Sequence, residues 1–527
     1  MYKWIHHADL VGGKQKENSC IGQGIVDAER SPHPIYLDIK RQCQTIAVFA
    51  SVSDPASLTM RNMSPFAYTE ELDLTWQLLL GGKSIASGKG TIGEIEPYGS
   101  RTLKFPFAKE TFTNAGWAQG RLDLIDIYDE AMTKELVFDI TMQLHNETYY
   151  AKAGYEIAFY QDVIIDEVAS PVVLRKTEDE NAAAALPSGA DAIAQDKVLQ
   201  VPDDQGGEDK NGIVERFDAG NELSVSSEEE LPLKLMTGTT ISSDPKRLYV
   251  NGENMRIGFS KDPAGCSALS IGGFNFLKGT MRPSFYRCPS NIDRTDRSFI
   301  LAKTVFSKES DYEQIQESIR YIGSEYGKKD GCFSMISRFK SFAMNGEVLM
   351  FYEIPSPDKL RVTLQFTPKY DMVRYGIRFP IVAEGIKCTW YGRGPGESYA
   401  DRKNAARIGV FSADTGKIYH PYARPAENSS HTDTRVVRLT NEMGDSITIK
   451  RLTSTPKFDF TVLPYTPEQM NEYLHEEQLM NNDYCEFFCD FGMKEIERTK
   501  DNVSMQPIKK GIKYSETFEF TLKSAGN

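Results

Sequence analysis

The sequence predicts an all-β protein: an immunoglobulin-like β-sandwich, then a large many-stranded β-sandwich, with one βα unit ahead of both. Three observations carry this reading. Apolar residues alternate with a period of two over most of the chain, Gly, Pro, Asn and Asp break the alternation at short intervals, and helical periodicity is confined to a few short runs. At 527 residues, of which 40% are hydrophobic, the chain exceeds what one core can hold, and length alone suggests about three or four domains.

Taken in order, residues 1–43 do not fit a sandwich. "YKWIHHADL" reads as a short strand, "CIGQGIVDAERSPHP" as a loop and "IYLDIKRQC" as a helix. A lone βα unit has to bury its strand on parallel neighbours, and the rest of the chain offers none, so an upstream portion is expected. Residues 44–172 predict the first sandwich. "ELDLTWQLLLGGKSIASGKGTI" is two strands around a Gly-Gly hairpin, and "KELVFDITMQLHN" and "GYEIAFYQDVII" continue the alternation. Residues 173–232 change character: fifteen acidic and four basic residues fall between 176 and 230, with few aromatics. That composition buries too little apolar surface to offset chain entropy and predicts an acidic linker or insertion, the sharper alternative being an acidic docking strip. Residues 233–527 return to alternation ("VLMFYEIPSPDKLRVTLQFTP", "SITIKRL", "FDFTVLPY") and predict the large β-domain. Further helix candidates are "ESDYEQIQESIRYIGSEY", where strand alternation competes, and "TPEQMNEYLH", with a Thr cap and Pro at the first helical position.

Composition excludes several function classes. A net charge of −13 argues against general binding to nucleic acid or an anionic membrane, since either needs a basic face. No apolar run approaches the roughly 20 residues of a membrane span, and "MYKWIHHADLVGG" lacks the pattern of a secretion signal, so the expected location is the cytoplasm. The eight cysteines are sparse (Cys20, Cys43, Cys266, Cys288, Cys332, Cys388, Cys485, Cys489) and form no CxxC pairs, which predicts reduced thiols and no zinc site. The seven histidines make no HExxH or similar spacing, and no GxSxG nucleophile motif is present.

The densest motif is "WYGRGPGESYADR", with Trp390, Gly392, Gly394, Pro395, Glu397, Tyr399, Asp401 and Arg402. It lacks the Lys-Ser/Thr end of a phosphate loop and sits among strands, so nucleotide binding is excluded. Glu397 and Asp401 are two carboxylates in one turn. Such a pair can act as general acid and base, but its commoner use is to accept backbone N–H groups or to pair with a neighbour such as Arg402. The motif is therefore expected to be structural, and no self-contained catalytic constellation is visible.

Five stretches, "GIVDAERSPHPIYLDIKRQCQ", "AGYEIAFYQDVI", "MRPSFYRCPSNIDR", "WYGRGPGESYADR" and "YHPYARPAEN", occur in an order and spacing that resemble the C-terminal half of glycoside hydrolase family 2 β-galactosidases of the lac type. The resemblance covers nearly the whole chain outside the acidic segment. It implies that residues 1–43 are the last βα element of a TIM barrel, that 44–172 correspond to the family's domain 4, and that 233–527 correspond to its galactose-mutarotase-like final domain. It further implies retaining hydrolysis of terminal β-galactosides, in which one Glu protonates the leaving oxygen and a second attacks the anomeric carbon. Both glutamates lie in barrel segments that have no match in this sequence, so the chain alone is expected to be inactive. The implied partner is a chain or fragment carrying the N-terminal domains and the catalytic barrel, in an oligomer, with a β-galactoside as the carbohydrate. A non-catalytic carbohydrate-binding or scaffold protein, or an inactive truncated remnant, is the alternative.

By the same resemblance Trp4, Gln23 and Val503 fall near the substrate, and Cys20 and Gln23 fall where the family binds sodium. Sodium and magnesium are the cofactors a complete enzyme would take. The departures are specific: Gln23 stands where the family has Asn, and Val503 or Ser504 where it sends a Trp into the active site. The family's "ENG" turn here reads "ENSSHTDTR". Turn motifs are thus kept better than ligand contacts.

Overall fold

The computed structural model describes residues 25–27, 29–51, 56–105, 135–165, 239–290, 293, 312–329, 332–452, 456–496 and 508–525. The strand expected in residues 1–24, the acidic segment 173–232, and the residues Trp4, Cys20, Gln23 and Val503 lie outside them. Among the described residues the chain is almost entirely β-strand, as alternation predicts.

The first element is helix α1 (Pro34–Gln42), which opens with Pro in its first turn and ends on Lys40 and Arg41, cations that complement the helix dipole. Seven strands follow: β1 (Ile46–Ala50), β2 (Ser57–Asn62), β3 (Leu72–Leu80), β4 (Lys83–Ile92), β5 (Ser100–Lys104), β6 (Leu136–Leu144) and β7 (Glu156–Ile165). They make two antiparallel sheets, β1-β2-β5 and β4-β3-β6-β7, closed on one core that includes Leu58, Met60, Trp76, Phe138 and Ile140. Strand β3 shows why: its inward residues Leu72, Leu74, Trp76 and Leu78 are buried while those between them are less so. The β3–β4 turn uses Gly81 and Gly82 at φ +53° and +81°, the left-handed pair that a two-residue hairpin demands.

The large domain begins with β8 (Thr240–Ser243), β9 (Arg247–Asn251), β10 (Met255–Lys261), β11 (Ala264–Ile271) and β12 (Phe274–Asn275), an antiparallel meander in one sheet. Next come β13 (Arg282–Ser284), helix α2 (Tyr312–Glu317), β14 (Arg320–Lys329), β15 (Cys332–Lys340), β16 (Val348–Ser356), β17 (Lys359–Phe366), β18 (Arg374–Val382), β19 (Lys387–Gly394) and β20 (Arg407–Asp414). The chain closes with β21 (Ser430–Thr434), β22 (Val436–Thr440), β23 (Ser446–Arg451), β24 (Phe458–Leu463), helix α3 (Pro467–Glu472), β25 (Tyr484–Met493) and β26 (Tyr514–Lys523). The helix expected over "ESDYEQIQESIRYIGSEY" is one short turn of α2. From Arg320 the alternation wins and the segment pairs with β15. Helix α3 forms where expected, with a capping box between Thr466 and Gln469.

Two sheets face each other across the main core: the nine-stranded β14-β15-β16-β17-β26-β23-β22-β19-β20 and the five-stranded β13-β18-β25-β24-β21. On β18 and β25 the inward set is Ile377, Phe379, Ile381, Phe487 and Cys489, all buried. The outward set is buried too, yet polar: Arg374, Arg378, Glu486 and Asp490 are each under 5% exposed. Charges on a strand face that water does not reach need partners, and that requirement organises everything described below.

The two β-domains are joined by a buried acid. Glu135, fully buried ahead of β6, accepts the Tyr391 hydroxyl and the Arg435 guanidinium of the large domain. Around it Leu79 and Val137 pack on Tyr391, Ile408 and Val436. At the rim Arg407 bonds Glu156 (2.7 Å), and the Gln161 amide exchanges two bonds with the Ile408 backbone (2.6 and 3.0 Å). Glu135→Ala leaves Arg435 buried without its counter-charge, and equilibrium denaturation should show a loss of about 3–5 kcal/mol. Glu135→Gln, still able to accept from Tyr391, should lose less. A change within experimental error in both would remove Glu135 from this role.

Candidate functional site

Four of the sequence motifs meet at one end of the large domain. "RSPHP" supplies His33 at the start of α1, "YHPYARPAEN" supplies His420, Tyr422, Glu427 and Asn428, "GRGPGESYADR" supplies the Glu397 turn, and "MRPSFYRCPSN" supplies Arg287 and Ser290. The His33 ring contacts His420 (Nδ1 to Nε2, 3.1 Å) and stacks on Tyr422 with ring centroids 5.4 Å apart. One turn further along the helix, Asp38 accepts the Ala405 amide (3.2 Å), and burial raises its pKa above the ordinary carboxyl value. Helix α1 is thus pinned by side chains to the loops after β19 and β20. On its other flank Lys40 lies over the Tyr155 ring and Arg41 over Phe159, both on the first sandwich.

Glu397 is the acceptor at the centre. Its Oε1 takes the Arg402 guanidinium and the Tyr422 hydroxyl (2.7 Å), and its Oε2 takes the Ser429 amide (2.6 Å). Asp401 accepts the Ile496 amide at 3.3 Å, and the Tyr399 and Arg402 backbones bond each other at 2.9 Å in both directions. The glycines are spacers. A Cβ on Gly392 would lie 2.8 Å from the Thr434 backbone, and one on Gly394 2.6 Å from the Phe411 ring. Gly394–Pro395 is a cis peptide bond. Trp390 donates its indole N–H to the Arg393 carbonyl (3.0 Å) and packs edge-on against His431, which itself stacks on Phe460. At Ser429, where the resemblance places a Gly, the backbone is left-handed at φ +65°. Here a Ser holds the conformation, through its hydroxyl bonds to the Ile418 carbonyl and Asn428 and its amide bond to Glu397.

Beside this turn, on the outer face of the five-stranded sheet, Arg374 is held bidentately by Asp490 at 2.7 Å for both bonds and lies 3.8 Å from Glu427. Arg287 pairs with Asp293 (2.9 Å) and donates to the Glu495 carbonyl (3.0 Å). Glu427 is fully buried and both of its oxygens lack a hydrogen-bond donor. Burial, only partly offset by Arg374 and Arg287, pushes its pKa to about 7. Asp459 is likewise pushed to about 7, by burial and by the neighbouring Asp433 and Asp490. Asp433 is held at about 2: burial opposes its ionisation, but Arg393 and Lys403 outweigh it. Burial lowers the pKa of His431 and of His420 below the ordinary histidine value.

What this arrangement can do is limited by its closure. A general acid or nucleophile must reach a substrate atom, whereas Glu397 is saturated by protein donors and Glu427 is enclosed. The polar cavity of about 500 Å³ nearby, between α1, β7 and the β19–β20 loop, is lined by Arg41, Gln161, Arg393 and Asn404 and by neither glutamate. Among the described residues no group of three His, Cys, Asp or Glu side chains is arranged for a metal, and Cys43, Cys266, Cys388, Cys485 and Cys489 are free thiols. No described helix is long and apolar enough to cross a membrane. Sequence reasoning singled out Glu397, Asp401 and Arg402 but missed Glu427, Asp459, Arg374 and Asp490. The last two are 116 residues apart and are brought together only by the β18–β25 pairing.

An all-β chain of two tightly joined β-domains, with a helix clasped at their junction, is the class of protein defined so far. Comparison with known families makes it particular. Residues 251–494 match the family described as beta galactosidase small chain, and residues 58–164 match β-galactosidase domain 4. The chain is related to β-galactosidases and carries a domain of their small-chain type. It is 23% identical over 470 residues to β-galactosidase BgaC of Bifidobacterium adolescentis, covering 89% of this chain and 37% of that protein. It is 21% identical over 488 residues to a β-galactosidase of Priestia megaterium, covering 91% of this chain and 38% of that protein. A β-galactosidase of Lactobacillus delbrueckii subsp. bulgaricus is 25% identical over 239 residues, covering 45% of this chain and 23% of that protein. The chain therefore spans under two-fifths of the length of these three relatives.

The pH dependence follows from Glu427. Its folded pKa of about 7 lies above the ordinary 4.5, so the folded state keeps a proton that the unfolded chain releases. Its contribution to stability is therefore full below about pH 4.5 and is lost as pH rises towards 7. Glu427→Gln should remove this loss, making the variant more stable than the parent at pH 8 by on the order of 1–3 kcal/mol and by less at pH 5. Parallel stability profiles for the two proteins would refute the shift.

Proposed function

We propose that this chain is the C-terminal part of a glycoside hydrolase family 2 β-galactosidase, and that it takes part in retaining hydrolysis of terminal β-galactosides only with a second polypeptide that carries the barrel. The observation that carries the reading is the order of the two family matches, domain 4 before the small chain, in a sequence that spans 37–38% of its relatives' length. The clasp on α1 supports it. A helix whose His33, Asp38 and Arg41 are all engaged by the β-domains has a fixed position from which a barrel could continue.

In this reading the barrel's two glutamates do the covalent and acid–base work, and this chain's residues hold its wall in place. Glu397 fixes the turn next to α1, Glu135 fixes the sandwich, and neither exchanges a proton with substrate. Trp4, Gln23 and Val503 would stand near the galactosyl ring, and the Cys20 carbonyl with the Gln23 amide would hold sodium. These four residues lie outside the described residues. The cellular location that fits this reading is the cytoplasm.

The test is co-expression with the polypeptide encoded directly upstream, if that polypeptide carries a barrel with both glutamates. The two should co-purify and cleave a chromogenic β-galactoside, while this chain alone should give no turnover. A stable complex without turnover, or no complex at all, would sink the proposal, as would activity of the purified chain by itself.

A further inference from the structure

We propose that the outer face of the five-stranded sheet also carries a binding groove for a neutral saccharide, floored by Arg282, Arg378 and Glu486 and flanked by the rings of Tyr484, Tyr321 and Phe339. The groove lies wholly within this chain, so the inference does not rest on a barrel partner.

The starting point is an arrangement that folding alone does not favour. Arg282 on β13 and Arg378 on β18 are direct register partners, with both side chains on the outer face. Like charges directly opposite one another destabilise a sheet. Each guanidinium is matched by its own carboxylate: Arg282 by Glu486 at 2.8 Å, and Arg378 by Glu468 through two bonds of 2.8 and 3.1 Å. The matching is incomplete. Glu486 is 1% exposed with its second oxygen unpartnered, and the Nε of Arg378 is also buried without an acceptor. Half-satisfied buried charges cost stability that an apolar face would not.

These residues border two adjoining cavities of about 340 and 600 Å³, which share Pro263, Arg282, Phe339 and Tyr484. The larger is within the size range of small-ligand pockets, roughly 300–1,000 Å³. Tyr484 stands two residues before Glu486 on the same face of β25, so a ring and an ion pair are presented together. Arg282 is the accessible element of the set, with 44% of its side chain exposed above a closed Glu486.

The lining selects the ligand's chemistry. It carries four cations (Lys278, Arg282, Arg320 and Arg378) against three carboxylates (Glu317, Glu468 and Glu486), so strong donors and strong acceptors stand side by side and nearly offset one another. A sugar ring needs this combination, because each hydroxyl both donates and accepts while the C–H face packs on an aromatic ring. An anion would meet Glu468 and Glu486, and a purely apolar ligand would leave the ion pairs unused.

The experiment is calorimetric titration of the full chain with lactose, cellobiose and maltose as neutral probes and galacturonate as an anionic one. At least one neutral disaccharide should bind saturably, with Kd on the order of 1 mM. Tyr484→Ala and Arg282→Ala should each weaken it about tenfold or more; Tyr484→Ala should keep a melting temperature close to that of the parent, whereas Arg282→Ala, which strips the buried Glu486 of its partner, should lower it. Tyr484→Trp, which keeps a stacking platform, should retain the affinity and so separates loss of stacking from loss of fold. The proposal is overturned if no neutral probe binds, if only galacturonate binds, or if affinity is unchanged in both alanine variants.

Discussion

The structure depends on one constraint: along β18 and β25 the sheet β13-β18-β25-β24-β21 of the large domain is buried on both faces, and its outer face there is charged. A sheet face is ordinarily either apolar and covered or polar and wet. Here Arg374, Arg378, Glu486 and Asp490 are covered without being apolar. Each ion removed from water loses several kcal/mol of hydration, which returns only through well-aligned partners. The bidentate Arg374–Asp490 and Arg378–Glu468 pairs are that return. Because the partners come from different strands and from helix α3, satisfying the charges also fixes how those elements sit.

The glycine-rich motif extends the same logic to the domain junction. Its first residues reach one way: Tyr391 bonds Glu135 ahead of the first sandwich's β6. Its last residues reach the other way, with Glu397 gathering Arg402, Tyr422 and Ser429, and Tyr422 carrying the stack on His33. Sandwich, large domain and α1 are therefore coupled through about a dozen residues of backbone. Gly392 and Gly394 are needed because β19 passes so close to Thr434 and Phe411 that a side chain at either position would displace the strand. A buried acid at each end and close packing between them make the segment rigid, as suits a part that positions others.

Much of this was legible in the sequence, and the reason is local. Alternation in "ELDLTWQLLLGGKSIASGKGTI" depends only on the pleat, so β3, β4 and their Gly-Gly turn could be read directly. The Thr466–Gln469 capping box is a four-residue signal and was equally readable. The α2 segment was ambiguous because helical and strand periods coexist there, and pairing with β15 decided it. The Glu397–Arg402 tie could be anticipated because the partners are five residues apart. What could not be read are the partners set by strand order. Nothing in "MRPSFYRC" announces that Arg282 will face Arg378, and nothing in "PAEN" announces that Glu427 will be left beside Arg374 without a donor.

The two ends of the charged face then differ in a way that bears on use. At Glu397 both carboxylate oxygens are occupied by protein donors and the site is shut, which is the mark of a carboxylate that holds a shape. Around Arg282 the pairing is looser, a guanidinium is half exposed, and aromatic rings stand at the edge of open volume. Burying charge costs the same physics at both ends, but at the first the enclosed groups, the donor-less Glu427 included, are out of a ligand's reach. A face that leaves a half-exposed guanidinium and aromatic rings beside a cavity retains bonding capacity for something other than itself. The closed end accounts for how the chain keeps its form, and the open end is where its own recognition chemistry is to be sought.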